Sequence, residues 1–307
     1  MKVVFFGSSL FSLSFLEGLK ENIVLVITTP DMPQKRGKRI LPNPVKAKAM
    51  EMGLPFIAVQ NFNEEIKEKI ASVSPDAFIV VSFGKIIPSS ILSIVKYPLN
   101  LHPSPLPLYR GAAPIERQIM DGITKSAVSI MLMNEKLDRG DIVLQSPFDI
   151  SFTDTKEDVE KKIVDIGIPL FKKALQMIEE KNLNVTPQQG KGSYAKKITK
   201  GDELIRWNEK NVKIYNKIRA LYPLPATCTI FRGKRLKIFK AEIANLNKGH
   251  PGEIIDLTKE GFVVQCGSGS ILVKEVQLEG KKRIKARDFM NGSHLKCGEK
   301  LGLNENI

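Results

Sequence analysis

MKVVFFGSSLFSLSFLEGLKENIVLVITTP, residues 1–30 of the 307-residue chain, has the pattern of a strand, a helix and a second strand. The apolar runs over Lys2–Phe6 and Ile23–Thr28 are short and continuous, which is typical of strands buried on both faces. The segment between them has helical spacing, set by four apolar side chains, Phe11, Phe15, Leu16 and Leu19. A strand followed by a helix and another strand is the repeating unit of a parallel α/β sheet.

The same alternation continues to about residue 181. Further short strands are predicted at Pro55–Val59, Ala77–Val81, Pro98–His102, Ser126–Met133 and Ile142–Ile150. Helices are predicted at Val45–Met52, Asn63–Ser72 and Thr155–Lys181. This alternation favours an α/β fold with a doubly wound (Rossmann-like) sheet, and we assign it to an N-terminal domain at residues 1–188.

The composition changes near residue 188, where Gly, Lys, Ser and Thr dominate and the apolar periodicity stops. We predict a linker over residues 189–206 and a second domain over residues 207–307. The second domain begins with a helix at Asn208–Leu221. Five short strands are predicted after it, at Ala226–Phe231, Leu236–Ala241, Gly252–Leu257, Gly261–Cys266 and Ser270–Val276. Short strands separated by turns predict a smaller C-terminal β-barrel, with the OB-like fold as one candidate.

The chain has a net charge of +14, and most of the excess lies in the last third. Residues 206–307 contain 20 Lys and Arg against 10 Asp and Glu. Such a field favours a polyanionic partner such as nucleic acid, although a Lys-rich surface without a partner would have the same composition. No apolar stretch is long enough to span a bilayer, so we expect a cytoplasmic protein with no membrane partner. The three cysteines are scattered without a Cys-x-x-Cys pair, which argues against a disulfide framework and a zinc site.

The densest group of chemically informative residues is NLHPSPLPLYRGAAPI, residues 100–115. It begins at the carboxyl end of a predicted strand, where open α/β sheets bind their ligands. Asn100 and His102 are two residues apart and therefore face the same side of that strand. An amide donor beside an imidazole suits stabilisation of an oxyanion together with proton transfer. A histidine with a purely structural role would fit the same pattern.

A second polar segment, LDRGD at residues 137–141, lies between two predicted strands. The carboxylate of Asp138 could hold His102 through one ring nitrogen, fix the tautomer of the imidazole and raise its basicity. An ordinary turn, or a weak calcium-type loop, would have the same composition.

Together these segments resemble the methionyl-tRNA formyltransferase family. The resemblance covers essentially the whole chain, because it extends to Thr29–Asp31, Arg36–Lys38, Leu41–Lys46, Ser82–Gly84 and Ala220–Ala226. It implies that Asn100, His102 and Asp138 form a catalytic trio shared with other 10-formyltetrahydrofolate transferases. The residues it implies for folate binding are Ser104, Pro105, Leu106, Pro107, Phe83, Gly84 and Asp141.

Two segments depart from the family pattern. Where the family usually has Ser-Leu-Leu-Pro, this chain has Ser104-Pro105-Leu106-Pro107, which alters the wall expected to face the folate. Near the N-terminus the usual Gly-Thr-Pro or Gly-Ser-x before Phe-Ala is replaced by Gly7-Ser8-Ser9-Leu10-Phe11-Ser12. Neither departure removes a member of the trio.

The resemblance implies transfer of a formyl group from 10-formyltetrahydrofolate to the α-amino group of initiator methionyl-tRNA, without a metal. Asn100 would donate a hydrogen bond to the oxyanion, and His102 would donate as well or relay a proton to the departing folate nitrogen. The expected partners are the reduced folate and the tRNA, and we expect a monomer. Basic residues are expected to contact the tRNA, namely Arg36, Lys38, Arg39, Arg232, Lys234, Arg235, Lys282 and Arg283. A solvated charged loop is the alternative for the segment around Arg36.

Three other functions fit parts of the pattern. A dinucleotide-dependent dehydrogenase also begins with a strand, a turn and a helix, but serines here occupy positions where the phosphate-binding turn requires glycines. A formyltransferase with a small acceptor would share the trio, yet would not need a basic C-terminal domain. A non-catalytic nucleic-acid-binding protein would account for the charge and leave the trio unexplained.

Overall fold

The computed structural model describes residues 1–33 and 40–302, and the chain divides into two compact units. The first unit consists of Met1–Pro114, Ser126–Phe148 and Glu160–Tyr194. The second consists of Ile115–Lys125, Asp149–Val159 and Ala195–Ile307. Within the described ranges, no helix combines the length and the apolar character needed to cross a membrane.

Strands and helices alternate over the first 179 residues, as the sequence predicts. The strands are β1 (Val3–Gly7), β2 (Ile23–Thr28), β3 (Met32–Pro33), β4 (Ile40–Leu41), β5 (Phe56–Ala58), β6 (Ala77–Val81), β7 (Tyr97–His102), β8 (Lys125–Leu132) and β9 (Ile142–Asp149). The helices are α1 (Leu10–Gly18), α2 (Pro44–Glu51), α3 (Glu64–Ser72), α4 (Ser89–Leu92), α5 (Pro114–Asp121) and α6 (Lys156–Glu179).

The strands of the first unit form a mixed sheet in the order β5-β2-β1-β6-β7-β8-β9. Pairing is parallel from β5 to β7, and β8 runs antiparallel to β7. All residues of β1 and of β6 are buried, because the centre of a parallel sheet is covered on both faces. The arrangement is consistent with a Rossmann-like domain. The parallel strands place their carboxyl ends, including those of β1, β6 and β7, at one edge of the sheet.

The second unit contains a predominantly antiparallel sheet. Its elements after residue 195 are α7 (Lys200–Glu203), α8 (Asn211–Ala220), β10 (Thr227–Phe231), β11 (Lys234–Ala244), β12 (Ile254–Leu257), β13 (Phe262–Gln265), β14 (Ser270–Leu278), β15 (Ile284–Lys285) and α9 (Ala286–Ser293). The strand order is β10-β11-β14-β13-β12, with β15 also paired to β14. The sheet is barrel-like, but within the described residues no pairing joins β12 to β10 to close it.

A buried arginine ties together separate segments of the second unit. Arg219 on α8 is only 5% exposed. Its guanidinium donates to the Asn216 side chain and to three backbone carbonyls, those of Ile119, Ser151 and Asp154. The rings of Phe152 and Tyr215 each lie with their centres 6.0 Å from the guanidinium carbon. Because a buried cation needs acceptors for its donors, this residue fixes segments far apart in the sequence.

Candidate active site

Strand β7 carries the two side chains at the centre of the candidate site. It is buried between β6 and β8, with Asn100 opposite Val80 on one side and Met131 on the other. His102 is the last residue of the strand and lies opposite Ser129. Side chains two residues apart share one face, so Asn100 and His102 lie on the same side at the carboxyl end of β7.

The side-chain amide of Asn100 has donor capacity that the fold does not use. The residue is half-buried, and no described side chain or backbone group makes a hydrogen bond to its amide. Burying such a group without a partner is costly, so an unpaired amide at a strand end is suited to a bound group that accepts hydrogen bonds.

His102 is held through its Nε2 atom, which lies 2.9 Å from the backbone oxygen of Tyr109. A carbonyl oxygen can only accept, so Nε2 carries the proton and Nδ1 of the neutral ring has a free lone pair. The residue is 4% exposed. Burial lowers the pKa of the imidazole below its ordinary value, although the Asp138 carboxylate and the Tyr109 carbonyl act in the opposite direction and Arg110 acts with burial. The neutral ring is therefore favoured at neutral pH.

The Asp138 carboxylate lies beside the second ring nitrogen of His102. Its Oδ2 atom is 3.8 Å from Nδ1, which is longer than a hydrogen bond. The same oxygen accepts a hydrogen bond of 2.7 Å from the backbone nitrogen of Gly111. The sequence predicts that Asp138 fixes the tautomer of His102, whereas the direct bond to the ring comes from the carbonyl of Tyr109. Nδ1 and Oδ2 instead form a pair of neighbouring acceptors.

Two residues without a predicted role support the turn that carries Asp138. The Arg110 Nε donates to the backbone oxygen of Asp138 over 3.1 Å, and the Gln188 side chain donates to the same oxygen over 3.0 Å. Arg110 lies within the motif at residues 100–115. That motif marks the segment as functional in the sequence, but it does not predict the contact between Arg110 and the backbone of Asp138. Gln188 lies in a polar segment without periodicity, so its sequence context contains no signal for the role.

The predicted folate wall at residues 104–107 is a tightly bonded loop. The Ser104 hydroxyl is fully buried and donates to the backbone oxygen of Leu108 over 2.6 Å. The Leu106 side chain is also buried, whereas Pro105 and Pro107 are half-buried. Among residues 104–107, the two prolines are therefore the ones whose side chains a ligand can contact.

The other predicted folate residues lie at the ends of neighbouring strands. Phe83 follows β6, and its ring is buried against Phe6. Its backbone oxygen accepts a hydrogen bond of 2.7 Å from the Ser8 hydroxyl, which links the segments that follow strands β1 and β6. Gly84 has a φ of +73°, a backbone conformation that favours glycine. Asp141 is half-buried and uses its backbone oxygen to accept from Leu132.

Three of the basic residues predicted to bind tRNA are engaged in ion pairs within the second unit. Arg232 makes two hydrogen bonds to the Glu299 carboxylate, Arg283 makes two to Glu275, and Arg235 pairs with Glu203. Lys234 and Lys282 are exposed, and no acidic side chain of the described chain pairs with either of them. The positive charges of the two lysines are therefore less neutralised by nearby carboxylates than those of the three arginines.

The remaining basic residues predicted to bind tRNA, Arg36, Lys38 and Arg39, lie outside the described residues. Across residues 1–33 and 40–302, no group of three or more His, Cys, Asp or Glu side chains has the arrangement of a metal site.

Comparisons with known proteins identify relatives over nearly the whole chain. The formyl transferase family model matches residues 1–175, and the model for the formyl transferase C-terminal domain matches residues 197–294. The methionyl-tRNA formyltransferase of Carboxydothermus hydrogenoformans is 40% identical over 304 residues, which cover 97% of this chain and 99% of that protein.

Solved structures share the fold at lower identity. The methionyl-tRNA formyltransferase from Clostridium thermocellum superimposes with a TM-score of 0.56 at 19% identity, over 80% of this chain and 94% of that one. HypX from Aquifex aeolicus, in complex with tetrahydrofolic acid, superimposes with a TM-score of 0.67 at 19% identity. That match covers all of this chain and half of the longer HypX chain.

Proposed function

We propose catalytic roles for Asn100, His102 and Asp138 from the premise that this chain belongs to the methionyl-tRNA formyltransferase family. The enzyme transfers a formyl group from 10-formyltetrahydrofolate to the α-amino group of initiator methionyl-tRNA. A bond forms between the amino nitrogen and the formyl carbon, and the bond from that carbon to the folate nitrogen breaks. The amine loses a proton, and the folate nitrogen gains one.

Asn100 donates a hydrogen bond to the formyl oxygen as negative charge develops there. The observation that supports this role is an amide without a partner among the described residues, at the strand end that also carries His102. An oriented donor of this kind typically contributes about 3 kcal/mol to lowering the barrier. No Lewis acid is needed for that step when the donor is already in place.

His102 and Asp138 accept hydrogen bonds from the attacking amine, and His102 takes the one proton that the amine loses. Nδ1 of the neutral imidazole and Oδ2 of Asp138 are 3.8 Å apart, so one nitrogen can approach both acceptors within hydrogen-bond reach. The carboxylate also stabilises the imidazolium that forms when His102 takes a proton. The charged ring then becomes the donor that returns a proton to the departing folate nitrogen.

The folate is placed against the half-buried faces of Pro105 and Pro107 in this proposal. Ser104 and Leu106 contribute by holding the loop in shape from inside, since both side chains are buried. Phe83, Gly84 and Asp141 complete the folate-binding set at the neighbouring strand ends. Because prolines restrict the backbone, a wall built from them loses little entropy when a ligand binds.

The tRNA is bound by the basic residues of both halves of the chain. We propose that Arg36, Lys38 and Arg39 contact the acceptor stem. In the C-terminal half, Lys234 and Lys282 contact phosphates directly, while Arg232, Arg235 and Arg283 add to the positive field although each is paired with a carboxylate.

The organisation of the protein follows from the same proposal. Residues 1–188 form a doubly wound catalytic domain, 189–206 a linker and 207–307 an OB-like tRNA-binding domain, a division supported by the basic excess after residue 205. We further propose that the enzyme acts as a monomer in the cytoplasm, where charged tRNA is available.

The test replaces the donor of Asn100 by a charged acceptor of the same size. Asn100→Asp keeps the shape of the side chain and replaces the NH₂ group by an acceptor, so it should reduce the single-turnover rate of formyl transfer by at least ~100-fold. The affinity for methionyl-tRNA, measured by filter binding, should stay within about twofold because the amide contacts the reacting group only. Asn291→Asp, at an exposed position of α9, is the matched control. A near-normal rate in Asn100→Asp would reject the assignment.

A further inference from the structure

The turn that carries Asp138 has little support from its own residues. Positions 134–137 are exposed, and the Leu137 side chain is 66% accessible to solvent. Asp138 has a φ of +51°, in the left-handed region, which costs a non-glycine residue of the order of 1 kcal/mol. A strained residue in an exposed turn keeps its position only when contacts from elsewhere hold it.

The Gln188 carboxamide supplies two of those contacts, beside the ones from Arg110 and the backbone of Gly111, and every hydrogen-bonding position on it is used. Its nitrogen donates to the backbone oxygens of Asp138 and Gly140, over 3.0 and 2.7 Å. Its oxygen accepts from Nε and Nη2 of Arg110, over 3.1 and 2.6 Å. The orientation of the amide follows from its neighbours, since carbonyls need a donor and a guanidinium needs an acceptor.

The segment that contains Gln188 also supports the other half of the site. Ser193 accepts from the backbone nitrogen of Tyr109 through its hydroxyl, over 2.9 Å, and its carbonyl accepts from the nitrogen of Arg110, over 3.0 Å. Tyr109 is the residue whose oxygen holds His102. Residues 188–193 therefore contact both the loop that orients the imidazole and the turn that presents the carboxylate.

We propose that Gln188 is a positioning residue for formyl transfer, which fixes Asp138 beside Nδ1 of His102 by donating to both carbonyls of its turn. The proposal rests on the catalytic roles given above to Asp138 and His102. Gln188 touches neither substrate in this scheme and acts only through the turn. Its loss should therefore reduce kcat and leave the KM values for folate and tRNA nearly unchanged.

Gln188→Glu tests the donors separately from the packing. A glutamate has the same size and still accepts from Arg110, so the ion pair keeps the side chain in place. It presents an oxygen instead of an NH₂ group to the carbonyls of Asp138 and Gly140, and the repulsion displaces the turn. A displacement of about 1 Å at a reacting group can cost up to ~100-fold in rate, so we expect kcat to fall about 10- to 100-fold. Gln188→Ala removes the donors without adding charge, and its kcat should also be lower than that of the wild type.

A second measurement separates positioning from a general loss of structure. The imidazole of His102 is faced by the Asp138 carboxylate, the Arg110 guanidinium and the backbone oxygen of Tyr109. Gln188→Ala adds no charge, so if the Asp138 carboxylate moves away in that variant, the NMR-detected pKa of His102 should fall. Gln189→Ala and Gln189→Glu make the same chemical changes at the next, exposed residue and should leave both kcat and this pKa at the wild-type values.

The double variant Asp138→Asn/Gln188→Glu links the proposal to its premise. If Gln188 acts through Asp138, the double variant is no slower than Asp138→Asn alone. Two results would overturn the positioning role and leave the catalytic assignment standing. In the first, the losses of kcat in the two single variants multiply in the double variant. In the second, both Gln188 variants have the wild-type kcat while Asp138→Asn is impaired. A wild-type rate in Asp138→Asn itself would instead refute the catalytic role on which the proposal rests.

Discussion

Gly140 closes the turn after Asp138 in a space that admits no side chain. A Cβ atom at this position would lie 1.5 Å from the backbone oxygen of Leu132 and 2.7 Å from its carbonyl carbon. A carbon and a carbonyl oxygen need about 3.3 Å between them, so in Gly140→Ala either β8 or the turn must move by about 2 Å. Both neighbours are backbone and no rotamer change relieves the clash. The turn is the more exposed of the two and is expected to move.

The displacement should reduce the rate of formyl transfer strongly and the stability of the fold only moderately. Overpacking typically costs about 1–3 kcal/mol, and at about 2–4 °C per kcal/mol for a domain of this size the thermal midpoint should fall by several degrees. A shift of about 2 Å at Asp138 should reduce the single-turnover rate by ~100-fold or more, measured well below the midpoint. Gly292→Ala is the control, because Gly292 has no atom within 4 Å of an added Cβ and lies in helix α9. A Gly140→Ala enzyme with the wild-type rate would refute the claim that the turn geometry controls catalysis.

Three further predictions concern the charges of the site and of the C-terminal half. The pKa of His102, followed by NMR, should lie below the ordinary histidine value and should fall further in Asp138→Asn, because the carboxylate is the neighbour that raises it most; an unchanged or higher pKa in the variant would contradict this. Lys282→Ala should reduce the salt dependence of log Kd for tRNA by about one unit of slope without altering thermal stability. Arg283→Ala should instead lower the free energy of unfolding by about 1 kcal/mol, because it breaks the paired hydrogen bonds to Glu275; the reverse pattern would show that the arginine, and not the lysine, is the phosphate contact.

Buried strands could be predicted closely because their residues have no alternative environment. The prediction of Ala77–Val81 coincides with β6, and every residue of that strand is buried. Helix α5 was not predicted from the sequence, because the prolines of residues 100–115 are typical of a loop. Pro114 is the first residue of α5, a position where its fixed φ and missing N–H are both tolerated.

The candidate site was predictable in its side chains and not in its backbone contacts. Asn100, His102 and Asp138 have chemistry that stands out against their surroundings. The carbonyl of Tyr109 that orients His102 has no signature, because every residue type has a carbonyl. Gln188 bonds to partners 48 to 78 residues away, and no local pattern encodes contacts of that range.

The buried Arg219 sets a condition on dividing the protein for separate production. A fragment beginning at residue 207 would retain the guanidinium and Tyr215, and would leave behind the carbonyls of Ile119, Ser151 and Asp154. Each buried donor stranded in this way costs about 1–3 kcal/mol, a large share of the stability of a domain of about 100 residues. Such a fragment would therefore need residues 115–125 and 149–159 supplied as peptides, because these two ranges carry the three carbonyls.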